Sequence, residues 1–429
     1  MLTRMDSKDK EQLANFVASR HQEISSDVLF KVSKILEDVR KQKDQACKAY
    51  TKQFDGIEMD TFKVSAEEVK EAIQSCDPEF IQALKKAKEN IEFFHRAQLQ
   101  QGYCLQKEDG VYLGQRVLPL QSIGIYVPGG RAQYPSSVLM NTIPAKIAGV
   151  RKIVMVTPPN PQGKIHPNIA AAAQIAGVDE IYKIGGAQAI AALAYGTRQI
   201  PRVDKIVGPG NIFVAAAKKL VFGTVDIDMI AGPSEILVIA DEEANPSFVA
   251  ADLLSQAEHD PMASAILVTT SESMLESVNE ELAIQSVRLP KQEIVKASLR
   301  DYGKSVLCDS LEECVELSNA IAPEHLELMV KDPEKLLEKV TNAGSVFMGY
   351  YTCESIGDYF GGTNHVLPTS GTARFSSALG VDAFIKKSSF LHYSKKALCH
   401  FADQIEVMAR QEDLEAHARA VSVRKEECR

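Results

Sequence analysis

The middle of the chain repeats one local pattern: a short β-branched run, a turn with glycine or proline, and an alanine-rich helical stretch. The strand-like runs are "IGIYVPGG", "VRKIVMVTPP", "DEIYKIGG" and "VDKIVGPGN", and helical stretches such as "HPNIAAAAQIAG" lie between them. Parallel strands need a long crossover connection, which is usually a helix, so this alternation indicates βαβ units. The sequence therefore predicts an α/β fold built on parallel sheets.

Glycine turns follow three of these runs. They are Gly129-Gly130, Gly185-Gly186 and Gly208-Pro209-Gly210. Ligands of parallel sheets bind beyond the carboxyl ends of the strands, where free N–H groups at helix N-termini attract phosphate. The chain has neither a G-x-x-x-x-G-K-[ST] nor a G-x-G-x-x-G fingerprint. The pattern therefore leaves a nucleotide site and ordinary turns equally open.

Composition narrows the range of partners and compartments. The net charge of the 429 residues is −9 with both signs well mixed, which argues against nucleic acid or an anionic membrane as the main partner. The 8 cysteines form no C-x-x-C pair and are typical of reduced cysteines in a cytosolic protein. The N-terminus lacks the apolar core of a signal peptide, and no run approaches the ~18 apolar residues of a membrane span. We expect a cytoplasmic protein.

The stretch "DLLSQAEHD" ends an apolar helix with polar residues. Gln256 and His259 are three residues apart and share a helix face. The stretch is either a solvated helix end or half of a metal site, and local sequence does not separate the two. Other candidate ligands are scattered along the chain: Asp358 and His365 in a glycine-rich loop, and Glu412 and His417 near the C-terminus. For His365, an orienting role within its loop is the plainer alternative.

Glu324 and His325, in "APEHLEL", are the pair that chemistry alone favours as catalytic. A histidine titrates near neutrality and suits proton abstraction from a hydroxyl group. A glutamate beside it can orient the imidazole or activate water. The local sequence does not decide between these two roles.

Several blocks, in order, resemble the histidinol dehydrogenase family from about residue 110 to the C-terminus. They are "IGIYVPGGRAQYPSSVLMNTIPAKIAGV", "AGPSEILVIAD", "DLLSQAEHD", "APEHLEL", "GDYFGGTNHVLPTSGTARFSSALG" and "EDLEAHA". The resemblance implies a two-step oxidation of L-histidinol through L-histidinaldehyde to L-histidine with two NAD, at the end of histidine biosynthesis. It also implies one zinc ion per subunit.

The resemblance assigns residues to each role. The implied zinc ligands are Gln256, His259, Asp358 and His417. His325 is the implied base and Glu324 the implied activator of the hydrating water. The implied substrate contacts are Ser234, Gln256, His259, His325, Asp358, Glu412 and His417. The implied NAD contacts are Tyr126, Gln188 and Asn211.

The resemblance also refines the expected organisation to two incomplete Rossmann-like domains with small helical termini. The expected segments are 1–21 (N-terminal, helical), 22–125 with 236–378 (first α/β domain), 126–235 (second α/β domain, on the NAD side) and 379–429 (C-terminal helical tail). A homodimer is implied in which the tail crosses over and completes the partner's site. Such a swapped terminal element is a low-cost route to a dimer.

Two alternatives remain open from the sequence. One is a zinc and NAD enzyme of the same fold that oxidises another small alcohol, such as a sulfonated diol. Those relatives tend to lose residues that this chain keeps: Tyr134, Pro135, Ser136, Ser137 and Tyr359. The other alternative is a non-catalytic zinc-binding or scaffold protein, which the presence of Glu324, His325 and the whole ligand set disfavours.

Overall fold

A computed structural model of the protein describes residues 1–20, 24–129 and 133–428. Gly130 of the first glycine turn and the predicted domain boundary at residues 21 and 22 lie outside these ranges. Within the described residues, no helix has both the length and the apolar composition that a membrane crossing requires.

The strands are short and spread over the whole chain. In chain order they are β1 Thr3–Asp6, β2 Tyr103–Glu108, β3 Val111–Pro119, β4 Ser122–Tyr126, β5 Lys152–Thr157, β6 Glu180–Lys183, β7 Lys205–Val207, β8 Asp226–Ile227, β9 Glu235–Ala240, β10 Ser264–Thr269, β11 Lys304–Leu307, β12 His325–Met329, β13 Ser345–Met348 and β14 Ile385–Tyr393.

Helices connect most of these strands. They are α1 Lys10–Ser19, α2 Ser26–Gln42, α3 Asp44–Asp55, α4 Ala66–Gln74, α5 Pro78–Arg96, α6 Pro135–Ala148, α7 Pro167–Ala176, α8 Gly186–Tyr195, α9 Ile212–Val221, α10 Pro246–Ala257, α11 Glu272–Ser286, α12 Gln292–Asp301, α13 Leu311–Ile321, α14 Pro333–Leu337, α15 Glu354–Tyr359, α16 Lys395–Gln411 and α17 Glu415–Lys425. Short 3-10 helices lie at Thr372–Arg374, Val381–Phe384 and Glu426–Cys428.

A six-stranded sheet has the order β1-β11-β10-β9-β12-β13, and all of its strand pairs are parallel. Every residue of β9, β10 and β12 is buried, as expected for a parallel sheet with both faces covered. The strand β1 lies at one edge, so the N-terminal segment that was predicted as helical begins with a strand. Four residues are too few for the sequence pattern to reveal it.

A second parallel sheet of five strands has the order β6-β5-β4-β7-β8. The alanine-rich helices α7, α8 and α9 bury most of their length against it, because alanine lets a helix approach a sheet closely. The two sheets confirm the predicted α/β fold on parallel sheets.

Helices α2 and α5 pack on the five-stranded sheet. Val32 and Val39 of α2 share a core with Val154 of β5, and Ile91 of α5 shares one with Ile123 of β4. The predicted grouping of residues 22–125 with 236–378 stays a prediction. An amphipathic helix shows which of its faces is buried but not which sheet buries it. The other predicted boundaries stay predictions.

A separate compact unit comprises Leu99–Pro119 and the chain from Ile385 onward. In it, β14 pairs antiparallel with β3 along its 9 residues, β2 pairs with the other side of β3, and α16 packs beside α17. The predicted helical tail therefore includes a strand. A disulfide joins Cys399 and Cys428, whose Cα atoms are 5.9 Å apart. The prediction of eight reduced cysteines is wrong for this pair. The two cysteines are 29 residues apart, and packing of α16 against α17 and the 3-10 helix that follows it brings them together, which the cysteine spacing does not reveal.

Candidate active site

Glu324 and His325 lie where β12 begins. Helix α13 ends at Ile321, Ala322 adopts a left-handed φ of 52°, and Pro323 prevents the helix from continuing. His325 is the first residue of β12, so the pair lies at the amino edge of the six-stranded sheet. The expectation that ligands bind at the carboxyl edge of a parallel sheet therefore does not extend to this pair.

The backbone of Glu235, the first residue of β9, binds both members of the pair. Its N–H donates to Oε2 of Glu324 at 2.9 Å, and its carbonyl oxygen lies 2.9 Å from Nδ1 of His325. Because a carbonyl oxygen can only accept, Nδ1 carries the proton and Nε2 is the basic nitrogen. Nε2 of His325 is buried without a hydrogen-bond partner among the described residues. The site thus contains a free, oriented base.

Burial shifts the two side chains in opposite directions. Desolvation lowers the pKa of His325, and the carboxylate of Asp358 opposes that shift. Desolvation raises the pKa of Glu324 well above its ordinary value, and the hydrogen bond from Glu235 opposes that rise. An imidazole held neutral and a carboxyl group made more basic both suit proton transfer near neutral pH.

Three side chains of metal-binding types cluster near the pair. His259, Glu354 and Asp358 each place one ligand-type atom within 4.8 Å of the other two. Glu354 and Asp358 share a face of α15, and His259 follows the end of α10. Imidazole nitrogen with carboxylate oxygen is a donor set that zinc accepts, so these residues fit a zinc ion. Desolvation lowers the pKa of His259 although part of the side chain is exposed, and this favours the neutral form that binds metal.

Gln256 connects the helix end to the cluster. It is buried in the last turn of α10, and the backbone N–H of His259 donates to the backbone carbonyl oxygen of Gln256 at 3.2 Å. With its amide nitrogen facing Glu354, that nitrogen lies 2.7 and 3.1 Å from the two carboxylate oxygens. The structure therefore brings together three predicted ligands, namely Gln256, His259 and Asp358.

The remaining predicted substrate and zinc residues are less enclosed. Ser234 is partly buried just before β9, and its carbonyl oxygen accepts from the N–H of Ser264 at 3.0 Å. Glu412 at the end of α16 and His417 in α17 belong to the second compact unit, where both side chains are exposed. The roles predicted for these three residues stay predictions.

The three predicted NAD contacts follow strands of the five-stranded sheet. Tyr126 ends β4, and its hydroxyl oxygen accepts from the N–H of Gly186 at 3.1 Å. Gln188 is buried in the first turn of α8, with Oε1 unpaired among the described residues. Asn211 caps α9 by accepting from the N–H groups of two following residues. All three therefore lie at the carboxyl edge of this sheet, where the sequence predicts the cofactor.

The turn at Gly208 requires glycine. Its φ is 107°, and a Cβ there would lie 2.2 Å from the carbonyl oxygen of Tyr126. Its N–H donates to Asp228 at 2.7 Å, and its carbonyl oxygen accepts from the buried Lys218 side chain at 3.0 Å. The turn is thus held by the protein itself, and its glycine serves conformation.

Sequence reasoning missed two residues of the site. Glu354 was not considered, although its i,i+4 spacing to Asp358 on a helix could have indicated it. Glu235 acts through its backbone, which no sequence pattern reveals. His365 lies close by: Nδ1 donates to the carbonyl oxygen of Asp358 at 2.9 Å, and Nε2 is 3.2 Å from the Ser137 hydroxyl. These contacts fit the expected orienting role.

Comparisons with known proteins identify the family of the chain. The family model described as histidinol dehydrogenase matches residues 18–425. A histidinol dehydrogenase of Clostridium acetobutylicum is 53% identical over 418 residues, with 97% of each chain covered. One of Lactococcus lactis is 48% identical over 430 residues, with 100% of each chain covered. The crystal structure of histidinol dehydrogenase from Elizabethkingia anophelis has a TM-score of 0.94 at 42% identity, covering 100% of this chain and 98% of that one.

Proposed function

The chain belongs to the histidinol dehydrogenase family, and we propose that Glu324 and His325 catalyse the oxidation of L-histidinol to L-histidine by this protein. Members of the family are NAD-dependent oxidoreductases that also use zinc. The observation on which this proposal rests is the buried, unpaired Nε2 of His325, oriented by the backbone of Glu235. A protein that only binds zinc has no need of such a base.

In the first oxidation, Nε2 of His325 takes the proton of the substrate hydroxyl group. The carbon that carries this hydroxyl group loses a hydride. The product is L-histidinaldehyde. Because Nδ1 already carries a proton that it donates to Glu235, the incoming proton has a single position, and the carbonyl oxygen stabilises the imidazolium that forms.

In the second oxidation, water adds to the aldehyde: Glu324 takes a proton from that water, and His325, protonated in the first oxidation, returns its proton to the aldehyde oxygen. The raised pKa of Glu324 makes the carboxylate a stronger base than an exposed glutamate. His325, now neutral again, takes a hydroxyl proton of the hydrate, and a second hydride leaves to give a carboxylic acid, which loses its proton to solvent and becomes the carboxylate of L-histidine. Both steps therefore need His325, whereas only the second needs the water that Glu324 activates.

The cofactor and substrate contacts follow the same proposal. Gln256, His259, Asp358 and His417 hold zinc, Ser234 and Glu412 contact the substrate together with the zinc ligands and His325, and Tyr126, Gln188 and Asn211 contact NAD. When bound, zinc orients the substrate, and NAD accepts one hydride in each oxidation. The mixed nitrogen and oxygen donors, with no thiolate, suit a site that stays open to substrate.

The proposal extends to assembly and location. His417 and Glu412 lie in the helical end of the chain, and their exposure leaves them available to a second copy. We place them in the partner's site within a homodimer. We also assign the protein to the cytoplasm, where histidine biosynthesis takes place.

The activity test is NADH formation by the purified, zinc-loaded protein with L-histidinol. The expected result is two NADH per L-histidinol consumed, with L-histidine as the product and very low turnover in a His325→Asn control. A higher rate with a sulfonated diol would favour the other alcohol dehydrogenase, and no NADH with any substrate would favour a scaffold protein. Either result would refute the proposal.

A further inference from the structure

Glu354 is buried at the start of α15, and its carboxylate faces the side-chain amide of Gln256. With the amide nitrogen toward Glu354, that nitrogen is 2.7 Å from Oε1 and 3.1 Å from Oε2. The opposite orientation would bring the amide oxygen against two carboxylate oxygens, all of them acceptors. The carboxylate therefore selects one orientation of the amide, in which the Gln256 oxygen points away from Glu354.

The Glu354 side chain is itself held in place. The hydroxyl of Ser255 donates to its Oε2 at 3.1 Å, and its backbone N–H donates to Oε1 of Glu327 at 2.8 Å. Glu327 is fully buried on β12. A chain of buried contacts thus runs from Glu327, on the strand that begins with His325, through Glu354 to the amide of Gln256.

We propose that Glu354 is a positioning residue that acts through Gln256 and turns the amide oxygen of Gln256 toward the zinc ion. This inference rests on the proposed zinc ligand set. An amide oxygen is a neutral, weak ligand on a side chain that can present either end, so a fixed orientation directly increases its value to the metal.

A direct ligand role for Glu354 is the competing explanation, since its carboxylate is within 4.8 Å of the ligand atoms of His259 and Asp358. Both of its oxygens, however, are already within hydrogen-bond distance of the Gln256 amide, and Oε2 also accepts from Ser255. These contacts favour positioning, because a carboxylate that binds the metal would have to give up part of them.

A double-substitution cycle on zinc affinity separates the two explanations. Zinc is removed from the full-length protein, and its rebinding is measured by competition with a chromophoric chelator, without any activity assay. We expect Glu354→Gln to weaken zinc binding about 10–100-fold, the usual effect of removing an outer contact of a metal ligand. In a Gln256→Ala background the same change should have almost no further effect, because the group through which Glu354 acts is gone.

Two controls accompany the cycle. Glu258→Gln removes a carboxylate that acts electrostatically on His259 while it leaves the Gln256–Glu354 contact intact, so a much smaller loss of affinity is expected. Circular dichroism of each metal-free variant checks folding. If Glu354→Gln does not fold, Glu354→Asp replaces it in the cycle, since it keeps the charge but draws the carboxylate out of reach of the amide.

The outcomes are distinct. Wild-type zinc affinity in Glu354→Gln overturns the positioning role, and an equal loss in both backgrounds overturns it in favour of a direct ligand or a simple charge effect. A His259→Asn variant identifies failure of the underlying proposal: if it keeps full zinc affinity, the zinc ligand set itself is wrong. A loss in His259→Asn and in Glu354→Gln, with no further loss in the Gln256→Ala background, supports the inference.

Discussion

Replacing His325 by asparagine tests the proposed base most directly. The substitution removes Nε2, which is buried and unpaired among the described residues, and leaves a side chain whose amide N–H can still donate toward the Glu235 carbonyl. A general base contributes roughly 10²–10⁴-fold to the rate, which corresponds to about 3–5 kcal/mol of barrier. Loss of the single Nδ1 hydrogen bond costs only about 1 kcal/mol of stability. The expected result is a folded, zinc-binding protein with very low turnover.

The assay follows NADH from L-histidinol and, separately, from L-histidinaldehyde. Both rates should fall, because each oxidation removes a hydroxyl proton. Zinc content and the thermal unfolding midpoint, measured on the same samples, show whether the loss is chemical or structural. Near-normal turnover, or a loss in only one of the two oxidations, would show that His325 is not the common base.

The pH dependence gives the same test a second measurement. Burial lowers the pKa of His325, so the neutral, basic form persists to a lower pH than for an exposed histidine. The rate of the first oxidation, which does not use Glu324, should therefore stay high as the pH falls to the ordinary histidine value of about 6.5 and decline only below it. In the asparagine variant the acid limb assigned to this group should be absent. A wild-type limb that lies above pH 6.5 would contradict the burial argument.

Three further predictions concern the other site residues. Glu324→Gln should slow aldehyde oxidation more than alcohol oxidation, since only the former needs an activated water; equal losses in stopped-flow measurements of the two steps would reduce Glu324 to an orienting role. His259→Asn should lose zinc while circular dichroism stays unchanged, because one strong donor is removed from the ligand set; full zinc content by metal analysis would contradict this. Coexpressed Asp358→Asn and His417→Asn chains, each inactive alone, should regain up to about half of the wild-type activity per heterodimer if the tail completes the partner's site. Confirmed heterodimers that remain inactive would rule out the crossover.

Much of the fold follows from local sequence rules. The alternation of β-branched and alanine-rich runs predicts parallel sheets correctly, because strands buried on both faces are rich in apolar residues. The edge strand β1 escapes the pattern because it is only 4 residues long. The antiparallel strand β14 escapes it as well, since all but the first of its residues are exposed and its pairing with β3 joins distant parts of the chain. The pattern is therefore informative where burial is high.

The candidate site shows a similar division. Glu324 and His325 stand out because their chemistry is visible in their side chains. The general rule for parallel sheets does not predict the position of the pair at the amino edge of its sheet. That rule concerns the loops that follow the strands, whereas this pair lies at the beginning of a strand. Glu354 contacts Gln256, which lies almost a hundred positions earlier in the chain. Only the structure reveals that these two side chains face each other.

Glu235 holds both members of the catalytic pair in place. Its N–H binds Glu324, its carbonyl oxygen binds His325, and its carboxylate accepts from the N–H of Ser370 at 3.2 Å and pairs with Arg20 at 2.6 Å. Both charged side chains of that ion pair are only 6% exposed, so each would be unfavourable in this environment without the other. Because the backbone of one strand residue binds both Glu324 and His325, the catalytic pair is oriented before substrate arrives, which is the condition for efficient proton transfer by a buried base.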